Sequence, residues 1–224
     1  MMATIKAIIF DVGGVLMVGQ DIVTKIPSKN NKGIPDYQIR GINEAMARAF
    51  NISIDEWFDA MDTAYPNSIV GKVSKTEMLR VISKNIGVSS DKLEMVWKKY
   101  IKKYFSKNRK LLRVIKRLRK SLGVKTAILS DQFWISDEVL IKDSGIEKFF
   151  DHVFVSNRDG LRKPDKKYYS FVLKKLKVKP SEVVFVDNRS WNIIPAKKLG
   201  MNTILFKDNN SCIKELLKFL GGNK

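Results

Sequence analysis

The chain has 224 residues, 44% of them hydrophobic, one cysteine, and 42 Lys+Arg against 23 Asp+Glu, a formal net charge of +19. That length suits one α/β core, or a core with a small second domain. The lone Cys212 excludes an intramolecular disulfide and makes a reducing compartment the default. No stretch is long enough to span a membrane. The apolar N-terminus does not read as a signal peptide, because Asp11 interrupts it and only Lys6 precedes it as a positive charge. A cytoplasmic location is therefore expected.

The first apolar run predicts a strand over about 5–10, ending in Asp11-Val12-Gly13-Gly14. KIPSKNNKGIPD (25–36) has the composition of a loop. Helical periodicity then covers 36–50, 55–65, 74–87 and 90–105, with Ser74 and Glu77 spaced as a capping box and Ser89 or Ser90 placed to cap the next helix. Met95 to Ser130 contains no acidic residue, and its lysines and arginines are expected to form the solvated face of helices. Within it, Trp97, Tyr100, Tyr104 and Phe105 have the helical spacing of core packing.

A helix over 111–123 leads to the strand TAILS (126–130), and strands HVFVS (152–156), VVFVD (183–187) and NTILF (202–206) follow. Helical patterns at 137–145, 165–177, 191–200 and 211–221 separate and follow them. Pro195 inside the third costs about 3 kcal/mol or more in a helix interior, so that helix is expected to start late or kink. Alternation of strand and helix predicts an α/β fold: a Rossmann-like parallel sheet flanked by helices. The long helical stretch after strand one predicts an inserted all-helical cap domain over 18–106, with the core formed by 1–17 and 107–224.

Ligands of open α/β sheets bind outside the carboxyl ends of the strands. Those ends collect Asp11, Ser130-Asp131, Lys163 and Asp187-Asn188. The set fits phosphoryl transfer. Asp11 can attack phosphorus and form an aspartyl-phosphate. Mg²⁺ can be held by Asp11, Asp187 and a strand-end carbonyl, with waters completing its shell. Ser130 and Lys163 can hold the phosphoryl oxygens, with Asp131 beside them. Backbone N–H groups from Val12 to Gly14 can form a small anion nest, the glycines letting the backbone come close.

FDVGGVL, AILSD, GLRKPDKKYY and VVFVDNRSWN resemble, in order, the four motifs of the haloacid dehalogenase-like (HAD) superfamily, and the helical insertion matches that family's C1-type cap position. The resemblance covers the whole chain. It implies a Mg²⁺-dependent phosphatase acting on a small phosphorylated metabolite, such as a sugar phosphate. Asp11 is then nucleophile, the Gly13 carbonyl and Asp187 are metal ligands with Asp11, and Ser130 and Lys163 hold phosphate. Three positions depart from the common phosphatase pattern. Gly13 stands where a second Asp acts as general acid and base, Asp131 where Asn is usual, and Asn188 where Asp is usual. Asp131, or Asp21 from the cap, is a candidate substitute for the missing acid. Trp134 and cap residues at the mouth are candidates for specificity. Two alternatives stay open: a catalytically weak member binding an anionic partner such as nucleic acid, and a haloacid dehalogenase, although dehalogenases carry an aromatic residue at the position of Gly13.

Overall fold

The computed structural model describes residues 4–19, 23–25, 37–39 and 41–221. Asp21 and most of the loop expected over 25–36 lie outside these. From β1 (Ala7–Phe10) the chain turns into β2 (Met17–Gly19), then enters β3 (Val23–Lys25) and β4 (Tyr37–Ile39). Five helices follow: α1 (Ile42–Phe50), α2 (Ile54–Asp62), α3 (Tyr65–Ser68), α4 (Lys75–Asn85) and α5 (Ser90–Tyr104). β5 (Phe105–Lys107) leads to α6 (Arg109–Leu122), β6 (Lys125–Ser130) and α7 (Trp134–Asp137), which continues as π-helix over Glu138–Asp143. The remainder runs through β7 (His152–Val155), α8 (Ser156–Asp159), α9 (Lys166–Leu176), β8 (Val183–Asp187), α10 (Ser190–Lys198), β9 (Asn202–Leu205) and α11 (Asn209–Phe219). No described helix is long and apolar enough to cross a membrane.

The expected sheet is present, parallel throughout, in the order β7-β6-β1-β8-β9. Both faces are covered, which explains why the strands are unbroken apolar runs rather than alternating ones. Ile8, Phe10, Ile128, Val184 and Val186 face one core, shared with the inserted helices, α6 and α11. Ala7, Ile9, Ala127, Leu129 and Phe185 face the other, against α9 and α10. The chain leaves β1 toward β6 and β7, then returns to the other side for β8 and β9. The order therefore reverses between β1 and β8, where open α/β sheets bind ligands. Asp11 follows β1 and Asp187 closes β8.

The insertion is helical over most of its length, but not all of it. β3 and β4 pair as an antiparallel ribbon, and β4 occupies the start of the helix expected from 36. Strands of three residues are too short to carry a readable period. Where the insertion leaves and rejoins the sheet, β2 and β5 pair antiparallel, Met17 opposite Lys107. The basic stretch behaves as expected on α6: Leu111, Leu112, Ile115 and Leu118 are buried while its lysines and arginines are exposed.

Side-chain caps fix the starts of α2, α4 and α5. Ser53 and Glu56 form the full capping box of α2, with reciprocal bonds of 3.1 and 2.7 Å. Ser74 caps α4, but the Glu77 carboxylate turns to Arg80 instead of closing the box. Ser89, not Ser90, caps α5. α10 starts at Ser190, not late, and runs through Pro195. Trp191 and Ile194 are exposed, so the turn that loses a backbone bond faces solvent.

The insertion is fastened to the segment after β6. The Trp134 indole donates to the Val73 carbonyl at 2.7 Å, so this residue joins insertion to core. Trp97 packs on Trp57 and Phe133, with centroids 5.3 and 4.8 Å apart. Lys75 and Lys98 each contact both Glu94 and Glu138, at 2.6–3.3 Å. Gly71, at φ +66°, sits so close to the Asn157 backbone that a Cβ would lie 2.1 Å from its carbonyl oxygen.

Gly71→Ala is expected to cost roughly 2–4 kcal/mol, combining left-handed strain with a backbone clash. Gly123, at φ +62° with open space around it, isolates the first contribution, and Gly123→Ala should cost about 1–2 kcal/mol. Urea unfolding of the two variants checks the difference. The charge latch gives a pH prediction. Hydrogen bonding to Lys98 holds the Glu138 carboxyl below its usual 4.5, against burial. For Glu94, burial pushes upward and the bonds to Lys75 and Lys98 outweigh it, so it too is lowered. Carboxyls lowered on folding stabilise fully above about pH 4.5 and lose that contribution as the pH falls through their folded values. Glu138→Gln should therefore destabilise by up to about 1 kcal/mol at neutral pH, the scale of partly exposed pairs. Thermal unfolding should show this difference shrink as the pH falls below 4.5, and shrink in high salt.

Candidate active site

Four strand ends and the loops beyond them build one site. The Lys163 side chain comes from the loop after α8, is 2% exposed, and reaches under the sheet edge. Its ammonium donates to Asp11 Oδ1 at 2.8 Å, Asp187 Oδ2 at 2.8 Å and the Leu129 carbonyl at 3.0 Å. All three donor positions of a lysine are thus used. Burial alone would favour the neutral amine. The charges of Asp11 and Asp187 outweigh it and hold the ammonium well above the usual lysine range. Asp187 is pushed upward by burial and by the Asp11 charge, with Lys163 opposing. Two buried carboxylates, Asp11 and Asp187, thus share one buried cation.

Asp187 is held by neighbours from the start of α10. Its Oδ1 accepts from the Arg189 N–H at 2.8 Å, and its Oδ2 from Asn192 Nδ2 at 3.0 Å. Asn192 is itself held by the Tyr169 hydroxyl, which donates to its carbonyl at 2.9 Å. Ser130 is fully buried, and its Oγ accepts from the Gln132 amide at 2.8 Å, which leaves its own proton available. The Gln132 N–H in turn donates to Ser156 Oγ at 2.9 Å.

Two expected phosphate contacts take other roles. Asp131 accepts from the Lys163 backbone N–H at 3.0 Å and lies 3.7 Å from Arg162 Nε. An ionised carboxylate only accepts hydrogen bonds, so Asp131 in that form places the Lys163 loop rather than holding a phosphate oxygen. Burial pushes its pKa upward, against the charges of Lys163 and Arg162. Gly14 donates its N–H to the Met17 carbonyl at 2.9 Å, so that N–H is spent inside the turn. The N–H groups of Val12 and Gly13 donate to no described residue and remain for an anion. The two glycines also differ sterically. Gly14 has φ +81°, and a Cβ there would lie 2.3 Å from the Asn188 amide nitrogen. A Cβ on Gly13 would meet nothing within 4 Å. Close approach requires the second glycine, not the first.

Asp11, Gly13, Gly14, Ser130, Asp131 and Lys163 all line one cavity of about 560 Å³ between the sheet edge and the insertion. Its polar end adds Arg162, Asn188 and Arg189; its other end is formed largely by apolar side chains of the insertion. Tyr65 stands between. Its ring packs on Phe133 at 5.7 Å, and its hydroxyl bonds no described residue. Burial pushes its pKa upward, against the charges of Arg162 and Arg189, so it is present as the neutral phenol. Trp134 is not among the lining residues. Asn192, Gln132 and Tyr65 were not singled out from sequence. Asn192 could have been found from its place in the first turn of a helix that starts just after a strand-end carboxylate.

A sesquiterpene phosphatase of Aspergillus oryzae is 25% identical over 224 residues, covering 99% of this chain and 100% of that one. Rat bifunctional epoxide hydrolase 2 is 37% identical over 119 residues, 51% of this chain. The chain spans about a fifth of the length of that protein and of its pig and mouse counterparts. The HAD family enzyme bt-2542 of Bacteroides thetaiotaomicron, solved in complex with magnesium and inorganic phosphate, superposes with a TM-score of 0.72 at 18% identity, covering 93% of this chain and 98% of that one. The haloacid dehalogenase-like hydrolase family matches residues 5–200, nearly the whole of the described core and insertion. The chain belongs to the haloacid dehalogenase-like hydrolases.

Proposed function

We propose that the chain is a Mg²⁺-dependent phosphatase that hydrolyses a small phosphorylated metabolite through an aspartyl-phosphate on Asp11. The observation that carries this is that Lys163, which lines the cavity at the β1/β8 edge with Asp11 and Ser130, ties Asp11 to the fully buried Asp187 behind it. In this reading residues 18–106 act as the cap, and 1–17 with 107–224 form the catalytic core. The phosphatase relative aligned over the whole chain and the neighbour solved with magnesium and phosphate support it.

The site suits Mg²⁺. Among the described residues there is no group of three or more His, Cys, Asp or Glu side chains suited to a metal. The donors are instead two carboxylates, Asp11 and Asp187, and the Gly13 carbonyl. That is an all-oxygen set, and Mg²⁺ commonly keeps several waters beside one or two carboxylates. The uncompensated negative charge of the buried carboxylates favours a cation. Bound there, Mg²⁺ neutralises repulsion between the Asp11 carboxylate and the phosphate dianion.

The residues do the rest. Lys163 fixes Asp11 through Oδ1 and leaves Oδ2 without a described hydrogen bond. An Asp11 oxygen attacks phosphorus, the P–O bond to the alcohol breaks, and the leaving oxygen takes a proton from water. A water molecule then attacks the aspartyl-phosphate and gives up a proton to solvent, releasing inorganic phosphate and restoring the carboxylate. Ser130 Oγ–H and the N–H groups of Val12 and Gly13 are placed to stabilise the phosphoryl oxygens where charge gathers. The cap encloses the substrate and excludes bulk water. Gly13 supplies no acid, so leaving groups already stable as anions are favoured.

With p-nitrophenyl phosphate, turnover should require Mg²⁺, stop in EDTA and return when Mg²⁺ is restored. Asp11→Asn should lower it by roughly 10³-fold or more. Absence of Mg²⁺-dependent turnover, or turnover indifferent to Asp11→Asn, overturns the reading. The open space at Gly13 generates a gain-of-function prediction. Gly13→Asp should fit without a clash and raise kcat on an alkyl phosphate such as glycerol 3-phosphate by roughly 10²-fold, the lower end of what a positioned acid contributes. Acetyl phosphate, whose leaving group needs no proton, should gain far less. Equal gains on both would show that the carboxyl does not act as the acid.

A further inference from the structure

We infer that the alcohol carried by the phosphate is apolar, aromatic or branched aliphatic, rather than a sugar. This rests on the phosphatase reading and names the substrate class of that same site. The cavity has two ends of different chemistry. Charged and hydrogen-bonding groups crowd the Asp11 end. Opposite them, the walls include Phe58 and Met61 of α2, Phe105 of β5 and Phe133 after β6. Phe58, Phe105 and Phe133 are half-buried, so their rings keep surface for a ligand to cover.

The insertion contributes three polar side chains to the lining: Tyr65, whose single hydroxyl is open to a ligand, and Asn43 and Asp62, which are engaged or badly placed. Asn43 accepts the Trp57 indole N–H on its Oδ1 at 3.0 Å, leaving only its amide nitrogen. Asp62 is an exposed carboxylate, which brings negative charge to a site for an anion. A hexose would press several hydroxyls against ring faces without partners, and a buried hydroxyl without a partner is unfavourable. An apolar group of similar size would release water from the same walls. Its volume of about 560 Å³ lies within the ordinary range of small-molecule sites and exceeds what a phosphate alone would fill. All of this wall but Phe133 belongs to the insertion. Phe58 and Met61 lie one turn apart on α2, so a single helix face sets that specificity.

The experiment compares 1-naphthyl phosphate and geranyl phosphate with glucose 1-phosphate and glucose 6-phosphate, using the full chain with Mg²⁺. Acetyl phosphate, too small to reach the apolar wall, reports the chemistry alone. The apolar esters should exceed both sugar phosphates in kcat/KM by at least about tenfold. Phe58→Asn and Met61→Gln should each lower the ratio of kcat/KM for 1-naphthyl phosphate to that for acetyl phosphate about fivefold or more, chiefly through KM. On the unaltered chain, 1-naphthol should compete with acetyl phosphate and glucose should not, a readout that does not depend on the variants folding. Turnover of acetyl phosphate with sugar phosphates equal to or better than the apolar esters overturns this inference and leaves the phosphatase reading standing. No turnover of acetyl phosphate overturns both.

Discussion

The Lys163 ammonium, shared by Asp11 and Asp187 at 2.8 Å each, is the contact on which the rest of the site depends. Breaking such a buried pair leaves an uncompensated charge, and that penalty far exceeds the worth of an exposed pair. The arrangement joins the two sides of the point where strand order reverses. β1 delivers one carboxylate, β8 the other, and a loop 24 residues before Asp187 delivers the cation between them. Lys163 is held in turn by the Leu129 carbonyl at the end of β6 and, through its backbone, by Asp131. Three adjacent strands are thus tied at their carboxyl ends by one side chain.

The insertion is not a loosely hung lid in this structure. One apolar core runs from β1 and β6 through Phe133 and Trp97 to Trp57 and Met46. The segment 132–144 serves both parts. Its beginning holds Ser130 through Gln132, its aromatic residue supports the cavity wall, and its Glu138 closes the charged latch to α4 and α5. A shift of the insertion relative to the sheet would therefore be felt at Ser130. That is a physical route by which what fills the insertion side of the cavity can affect the Asp11 side, carried by packed side chains rather than by distance alone.

Much of this was legible from the residues. The five parallel strands follow from apolar runs too short for helices and too continuous for half-exposed strands. Asp11, Lys163 and Asp187 stood out because each closes or follows such a run. What was hidden has physical causes. The ribbon of β3 and β4 is too short to carry a pattern. The role of Asn192 depends on a helix face turned back toward the strand it follows. The role of Asp131 depends on a backbone N–H more than thirty residues away in sequence, which no local pattern encodes. The cavity wall was unreadable for a different reason. Trp57 and Phe58 are adjacent aromatics of α2, yet Trp57 is fully buried core and Phe58 lines the cavity; only the packing distinguishes them.

The two glycines after Asp11 carry the last distinction. Gly14 is demanded by the fold: its φ is positive and the Asn188 amide occupies the space a side chain would need. The same contact accounts for the asparagine at 188, whose amide packs on the turn that follows Asp11. Gly13 is not demanded in this way, because a Cβ there would meet nothing within 4 Å. The open space beside Gly13 is therefore left by the sequence and not required by the backbone. In the proposed phosphatase reading, the absence of a carboxyl at 13 forgoes a proton donor and spares the Asp11 side of the cavity a further negative charge, which fits an apolar alcohol whose oxygen needs little help to leave.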